Sequence, residues 1–218
     1  MRLFFAIAGN VGVGKSTLTE RLSKTLGAKP FFEPQSENPY LADFYADMDR
    51  WAFHSQMFFL SRRLKEHVAM QREEGVIIQD RSLYENAEIF ARHLHERGAI
   101  TDRDWHIYQE IYETAVELLR PPDLVVYLRA SVPCLAQRIL SRGREFEKKI
   151  DEGYIGDLNR LYDEWAARFS RSPVVTIQTE ELHYLTEPAH MDRVLDVIKQ
   201  KLGGLPMTIF SSGGSSRS

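Results

Sequence analysis

One cysteine, Cys134, is present in 218 residues, which excludes an intramolecular disulfide framework and suits a reducing compartment. Its place in an apolar helical pattern gives it a packing role rather than a catalytic one. Long apolar runs are missing. The N-terminal run, Leu3 to Ala8, is too short for a membrane span or for the apolar segment of a signal peptide. Charge of one sign is not in excess either. A net charge of −3 argues against a general nucleic-acid or membrane-surface binder, so any phosphate-handling cations must be concentrated locally. The seven histidines are scattered, and no His/Cys group has metal-ligand spacing. His93 and His95 read as surface residues on different sides of one helix. No repeat or dividing linker appears. With 43% hydrophobic residues, the chain has the material for one core, expected over residues 1–204. Residues 205–218, Ser/Gly-rich from Ser211 onward, read as a flexible tail. These exclusions leave a cytoplasmic protein with no membrane or nucleic-acid partner.

What is there is an alternation of short apolar runs and helical patterns, the signature of a parallel sheet with helices on both faces. The pattern predicts strands at Leu3–Ala8, Lys29–Glu33, Val76–Gln79, Leu124–Leu128 and Val174–Gln178. It predicts helices over Lys15–Leu26, Asp49–Glu74, Leu83–Arg97, Asp102–Leu119, Val132–Ser141, Gly156–Phe169 and Pro188–Leu202. Thr101 is placed to cap the fourth helix, which Pro121-Pro122 ends, and Ser131 to cap the fifth, with Pro133 in its first turn. The expected architecture is a three-layer α/β fold on a five-stranded parallel sheet.

The strand-to-helix turn after Leu3–Ala8 carries Gly9-Asn10-Val11-Gly12-Val13-Gly14-Lys15-Ser16-Thr17, which matches the phosphate-loop pattern G-x-x-x-x-G-K-[ST]. Glycines let backbone N–H groups turn inward around phosphate oxygens at a helix N-terminus. Lys15 then reaches the β- and γ-phosphates, and the Ser16 hydroxyl is a ligand for Mg²⁺. Ligands of such sheets lie beyond the carboxyl ends of the strands. Glu33 follows the second strand and Asp80-Arg81 the third. Singly, Glu33 could be a solvated loop acid and Asp80 a helix cap. Together, on one rim beside a phosphate loop, they point to chemistry. Asp80 would hold the metal opposite Ser16, Arg81 would neutralise charge on a transferring phosphoryl group, and Glu33 would take the proton of an attacking hydroxyl. No Asn-Lys-x-Asp segment marks a guanine-reading switch, and no His-Arg-Asp or Asp-Phe-Gly segment marks a protein kinase.

Two further clusters complete the reading. Arg138 and Arg142 lie one turn apart, and Gly143 allows Arg144 to turn inward, as in an arginine lid that closes over a nucleotide. The alternative is a solvated basic helix end favoured by the dipole. Tyr45 to Arg62 mixes Trp51, Phe53, Gln56, Phe58 and Phe59 with Arg62. Part of that stripe is core at helical spacing, while a Gln and an Arg among large apolar side chains also describe a pocket for a flat base.

These motifs together resemble the deoxyribonucleoside kinase family of deoxycytidine, deoxyguanosine and deoxyadenosine kinases. The carriers are Gly9–Thr17, Phe32-Glu33-Pro34, Arg50-Trp51-Ala52-Phe53-His54-Ser55-Gln56, Leu60-Ser61-Arg62, Asp80-Arg81-Ser82 and Arg142-Gly143-Arg144-Glu145-Phe146-Glu147. The resemblance implies a P-loop kinase fold and transfer of the γ-phosphoryl group of ATP, with Mg²⁺, to the 5′-hydroxyl of a deoxynucleoside in nucleotide salvage. It makes Glu33 the general base, with Arg81 beside it. It gives the base edge to Gln56, the polar end of the pocket to Arg62, and the sugar 3′-hydroxyl to Tyr45 and Glu147. Arg138, Arg142 and Arg144 form a lid over about residues 142–153. A homodimer is also implied. The family's pocket carboxylate, four residues after the serine of Asp-Arg-Ser, is replaced here by Asn86. The lid wording and short length resemble the bacterial enzymes for purine deoxynucleosides. Two other readings share the loop: a nucleoside monophosphate kinase of thymidylate kinase type, whose phosphate acceptor Glu33 would repel, and a nucleotide-binding regulator without catalysis.

Overall fold

In the computed structural model the described residues are 2–32, 37–144, 150–180, 182 and 187–202. Five parallel strands, β1 (Leu3–Gly9), β2 (Lys29–Phe31), β3 (Val76–Asp80), β4 (Leu124–Arg129) and β5 (Val174–Gln178), form one sheet in the order β2-β3-β1-β4-β5. Every residue of β1 is buried, so both faces of the central strand are covered by helices. After β1 the chain moves to one side of the sheet for β2 and β3, then crosses β1 to β4 and β5. The crevice at the carboxyl end of β1 lies at this reversal, where α/β sheets of this kind bind ligands. The register sets Ile7 beside Asp80 and Gly9 beside Leu128, so the phosphate loop and Asp80 emerge on one rim.

The helices are α1 (Lys15–Leu26), α2 (Leu41–Ala46), α3 (Met48–Met70), α4 (Leu83–Glu85), α5 (Arg92–Glu96), α6 (Asp102–Leu118), α7 (Val132–Arg142), α8 (Glu152–Arg168) and α9 (Pro188–Lys201). A π-helical stretch, Asn86–Ala91, joins α4 to α5. Thr101 caps α6 by accepting from the Asp104 N–H at 3.2 Å. Ser131 occupies the cap position of α7, but its side chain makes no capping bond; its own N–H donates to Glu180 Oε1 at 2.6 Å instead.

The elements depart from the sequence pattern in several places, and β2 ends at Phe31. The aromatic segment before α3 contains the separate helix α2. Asp47 leaves helical geometry between the two and accepts from the Arg50 N–H, which starts α3. Helix α3 then ends at Met70 rather than running to Glu74. Helix α8 starts at Glu152 because Asp151 caps it, accepting from the Tyr154 N–H at 2.7 Å. The last two residues of the expected lid, 152 and 153, are therefore helical. Lastly, the helix expected over Leu83–Arg97 is interrupted by the π stretch, whose wider turns shift the phase of everything after it. That shift corrects the reading of His93. It is buried, with its ring edge-on to Tyr154 at 5.2 Å, and burial pushes its pKa down. The expected tail, 205–218, lies outside the described residues.

Candidate active site

Gly9, Gly12 and Gly14 hold positive φ values of 144°, 81° and 101°. At Gly9 a Cβ would come within 2.6 Å of the Leu128 carbonyl oxygen, and at Gly12 within 2.8 Å of the Ile139 side chain. Backbone conformation and close packing thus both demand glycine at these two positions. Asn10 is buried and fastens the loop. Its amide donates to the Ile155 carbonyl at 2.9 Å and to Asn159 Oδ1 at 2.8 Å, while its oxygen accepts from the Val11 N–H. Lys15, buried at the start of α1, donates from Nζ to the Asn10 carbonyl at 3.0 Å.

Ser16 Oγ donates to Asp80 Oδ2 at 2.5 Å. Asp80 is buried, and its Oδ1 has no hydrogen-bond partner among the described residues. Two hard oxygen donors, one with an open acceptor, suit Mg²⁺, which keeps several waters and takes its other ligands from phosphates. No group of three or more His, Cys, Asp or Glu among the described residues could hold a metal without such help.

Arg81 has φ of 63°, the one positive value outside glycine among the described residues. Left-handed backbone costs a bulky residue about 1–2 kcal/mol, and such strain concentrates at functional sites. The turn is held by the Arg81 N–H, which donates to the Ile7 carbonyl at 3.0 Å. It aims a buried guanidinium over the Phe90 ring, 4.3 Å from its centroid. Tyr154 is close enough to feel Arg81, although burial dominates and pushes its hydroxyl up to about 12.

Glu85, one turn past Ser82, is an ionisable residue that the sequence reading missed. It is fully buried, and its pKa is raised by that burial against the opposing pull of Arg81, Lys15, the Ser82 N–H and the Tyr162 hydroxyl. The Ser-x-x-Glu spacing of a capping box was the available signal.

On the other side, α3 packs against the π-helical stretch. Gln56 on α3 and Asn86 on the π-helical stretch are both buried, and neither Gln56 Oε1 nor Asn86 Oδ1 has a partner among the described residues. Arg62 does not join them. It lies on the outer side of α3, 39% exposed, paired with Glu37 at 3.0 Å and with its guanidinium over Phe58. The next residue, Arg63, is fully buried and donates to Glu66 Oε2 at 2.8 Å, which also accepts from Gln79 Nε2 at 3.1 Å. Helical phase explains the correction: Arg63 is two turns from Gln56 and shares its face, and Arg62 does not. Tyr45, at the end of α2, is half-buried with its ring edge-on to Phe44 at 5.2 Å.

Of the arginines expected in the lid, Arg138 is bound to the loop itself. Its guanidinium donates to the Val13 carbonyl at 3.3 Å and to Thr179 Oγ1 and the Thr179 carbonyl at 3.2 and 2.7 Å. Arg142 ends α7 and Arg144 follows Gly143, whose φ is 67°; both arginines are exposed. Glu33 and Glu147 lie outside the described residues.

The deoxynucleoside kinase family model matches residues 5–202. The chain belongs to the deoxynucleoside kinase family. It is 36% identical over 194 residues to a deoxyadenosine/deoxycytidine kinase of Bacillus subtilis, covering 88% of this chain and 89% of that one. It is 35% identical over 214 residues to a deoxyguanosine kinase of Lactobacillus acidophilus, covering 92% of each. A solved deoxyadenosine kinase from M. mycoides with bound dATP superposes with a TM-score of 0.78 at 32% identity, over 90% of this chain and 98% of that one. This deoxynucleoside kinase is therefore an ATP-dependent phosphotransferase with the P-loop kinase fold. The monophosphate-kinase and non-catalytic readings give way to it.

Proposed function

We propose that the kinase transfers the γ-phosphoryl group of ATP to the 5′-hydroxyl of a purine deoxynucleoside, in cytoplasmic nucleotide salvage. The observation that carries the base preference is the pair of buried amides, Gln56 and Asn86, with open acceptors on two helices packed together. A carboxamide offers a donor and an acceptor side by side, the pattern that pairs with the N6/N7 edge of adenine. Arg63, already engaged by Glu66, would furnish fixed positive charge at that end without needing a carboxylate at position 86. The relatives point the same way in name, two being deoxyadenosine and deoxyguanosine kinases and one also a deoxycytidine kinase.

At the phosphate end the loop N–H groups and Lys15 would bind the β- and γ-phosphates, with Arg138, Arg142 and Arg144 closing from α7. Ser16 and Asp80 would hold Mg²⁺, which when bound neutralises charge shared by the β- and γ-oxygens. Glu33 would accept the 5′-hydroxyl proton, and Arg81 would steady both that carboxylate and the transferring group. Tyr45 and Glu147 would hold the sugar. The purified protein, ATP, Mg²⁺ and a panel of deoxyadenosine, deoxyguanosine, deoxycytidine and thymidine test the reading. The expected order puts both purines ahead in kcat/KM, and a pyrimidine in first place would reject the base assignment.

A homodimer fits one further feature. Ile107, Ile111 and Leu118 are exposed along a single face of α6 at one-turn and two-turn spacings. Light scattering on the eluting protein should give twice the chain mass, and a monomer would reject the assembly.

A further inference from the structure

Glu85 takes no part in the transfer just described, yet both its oxygens are bonded beside the site. Oε1 accepts from the Gly9 N–H at 3.2 Å and from the Tyr162 hydroxyl at 2.9 Å. Oε2 accepts from the Ser82 N–H at 2.8 Å and from Ser82 Oγ at 3.3 Å. A capping box accounts for the second oxygen alone, and a glutamine performs that task equally well. It does not account for full burial, nor for a bond to a loop residue 76 positions away in the chain. Four donors converging on one buried carboxylate are the arrangement in which ionisation strengthens every bond.

We propose that Glu85 is a positioning residue that ties the first glycine of the phosphate loop, the Asp80-Arg81-Ser82 turn and α8 to one buried side chain. It thereby sets the spacing between the triphosphate site and the acceptor-side arginine. Gly9 is where β1 leaves the sheet, and Ser82 is where the strained turn at Arg81 ends, so one side chain spans both exits. Lys15 and Arg81 are the cations that act on it, opposing the burial that raises its pKa. Glutamine at this position keeps the volume but replaces one oxygen with an NH₂ group. That group would point either at the Ser82 N–H or at the Gly9 N–H, donor against donor, and one of the two ties must open.

The inference rests on the kinase reading, and its test separates the two. E85Q, Y162F and the wild type are compared in three measurements: ATP affinity by calorimetry with Mg²⁺, kcat and KM for deoxyadenosine, and folded fraction by urea unfolding. In folded E85Q we expect kcat to fall at least tenfold, ATP binding to weaken at least threefold, and the nucleoside KM to stay within threefold. Y162F, which removes one donor and keeps the charge, should fall between E85Q and wild type. Folded E85Q with kcat within twofold of wild type would overturn the proposal. So would a loss that vanishes when cooling restores the folded fraction, because Glu85 would then support the fold alone. A wild type without deoxynucleoside turnover would sink the kinase reading; weaker ATP binding in E85Q would still support the tie.

Discussion

The proposed phosphate end of the site and the proposed base end differ in how far their polar groups are satisfied within the chain. At the phosphate end Lys15 is bonded to Asn10, Ser16 to Asp80, Asn10 to α8, and Glu85 to four donors, while Asp80 Oδ1 is left open among the described residues. At the base end Gln56 Oε1 and Asn86 Oδ1 are buried without partners among the described residues. A buried acceptor left open costs about 1–3 kcal/mol, a cost that a ligand removes on binding. On the proposed reading the first region is held largely by bonds within the chain, and the second leaves its acceptors for the base to satisfy. Substitutions at the phosphate end should therefore lower turnover with every nucleoside alike, while those at the base end should change the ranking among nucleosides.

The sharpest break comes from Lys15→Ala. It removes the loop cation proposed to bind the β- and γ-phosphates, and transfer should fall by on the order of 10³ or more with every base tested. Steady-state assays across the panel check this, and residual activity within tenfold of wild type would remove the loop from the phosphate site. Next in size is Glu33→Gln. Loss of a general base lowers kcat by on the order of 10² or more, with ATP affinity unchanged. Stopped assays with calorimetry in parallel check the pair of values, and near-wild-type kcat would take the base role from Glu33.

How much of this was legible in the residues differs between the two ends for a physical reason. The phosphate loop is a local motif, nine consecutive residues between a strand and a helix, and local patterns survive without knowledge of packing. Asp80 and Arg81 were legible because β3 is an apolar run with a clear end. The base end depends on helical phase. Arg62 and Arg63 are neighbours, and rotation along α3 alone decides which one faces Gln56. Counting two turns from Gln56 would have selected Arg63. No comparable count was available past Asn86, because the π-helical stretch breaks the period that such counting assumes. His93 was misplaced for that reason. Glu85 was hidden differently: its capping spacing is local, but its bond to Gly9 joins distant parts of the chain.

The two arginines allow that distinction to be measured. Arg63→Met removes a fully buried partner of Glu66 and should lower both urea stability and kcat/KM for the preferred nucleoside, the latter by roughly tenfold, a loss of about 1.4 kcal/mol in transition-state binding. Arg62→Met removes an exposed pair with Glu37, a contact class worth about 0–1 kcal/mol, and should leave kcat/KM within twofold. Equal effects from both variants would show that the inner face of α3 is not the one that meets the base.

Asn86→Asp makes the smallest and most selective change, and it tests the contrast between the two ends directly. The side chain is buried at 2% exposure on the π-helical stretch, so the substitution conserves shape while exchanging a donor-acceptor pair for two acceptors. A bidentate amide contact contributes about 1–3 kcal/mol of discrimination between bases. Losing its donor half should shift the purine-to-pyrimidine ratio of kcat/KM by several-fold, and ATP affinity should hold steady because Lys15, Ser16 and Asp80 are untouched. Competition assays with mixed deoxyadenosine and deoxycytidine read that ratio without depending on the concentration of active enzyme. An unchanged ratio would place Asn86 away from the base. A ratio that moves together with ATP affinity would mean that the two ends are not independent, and that the π-helical stretch transmits strain from the pocket to the Arg81 turn.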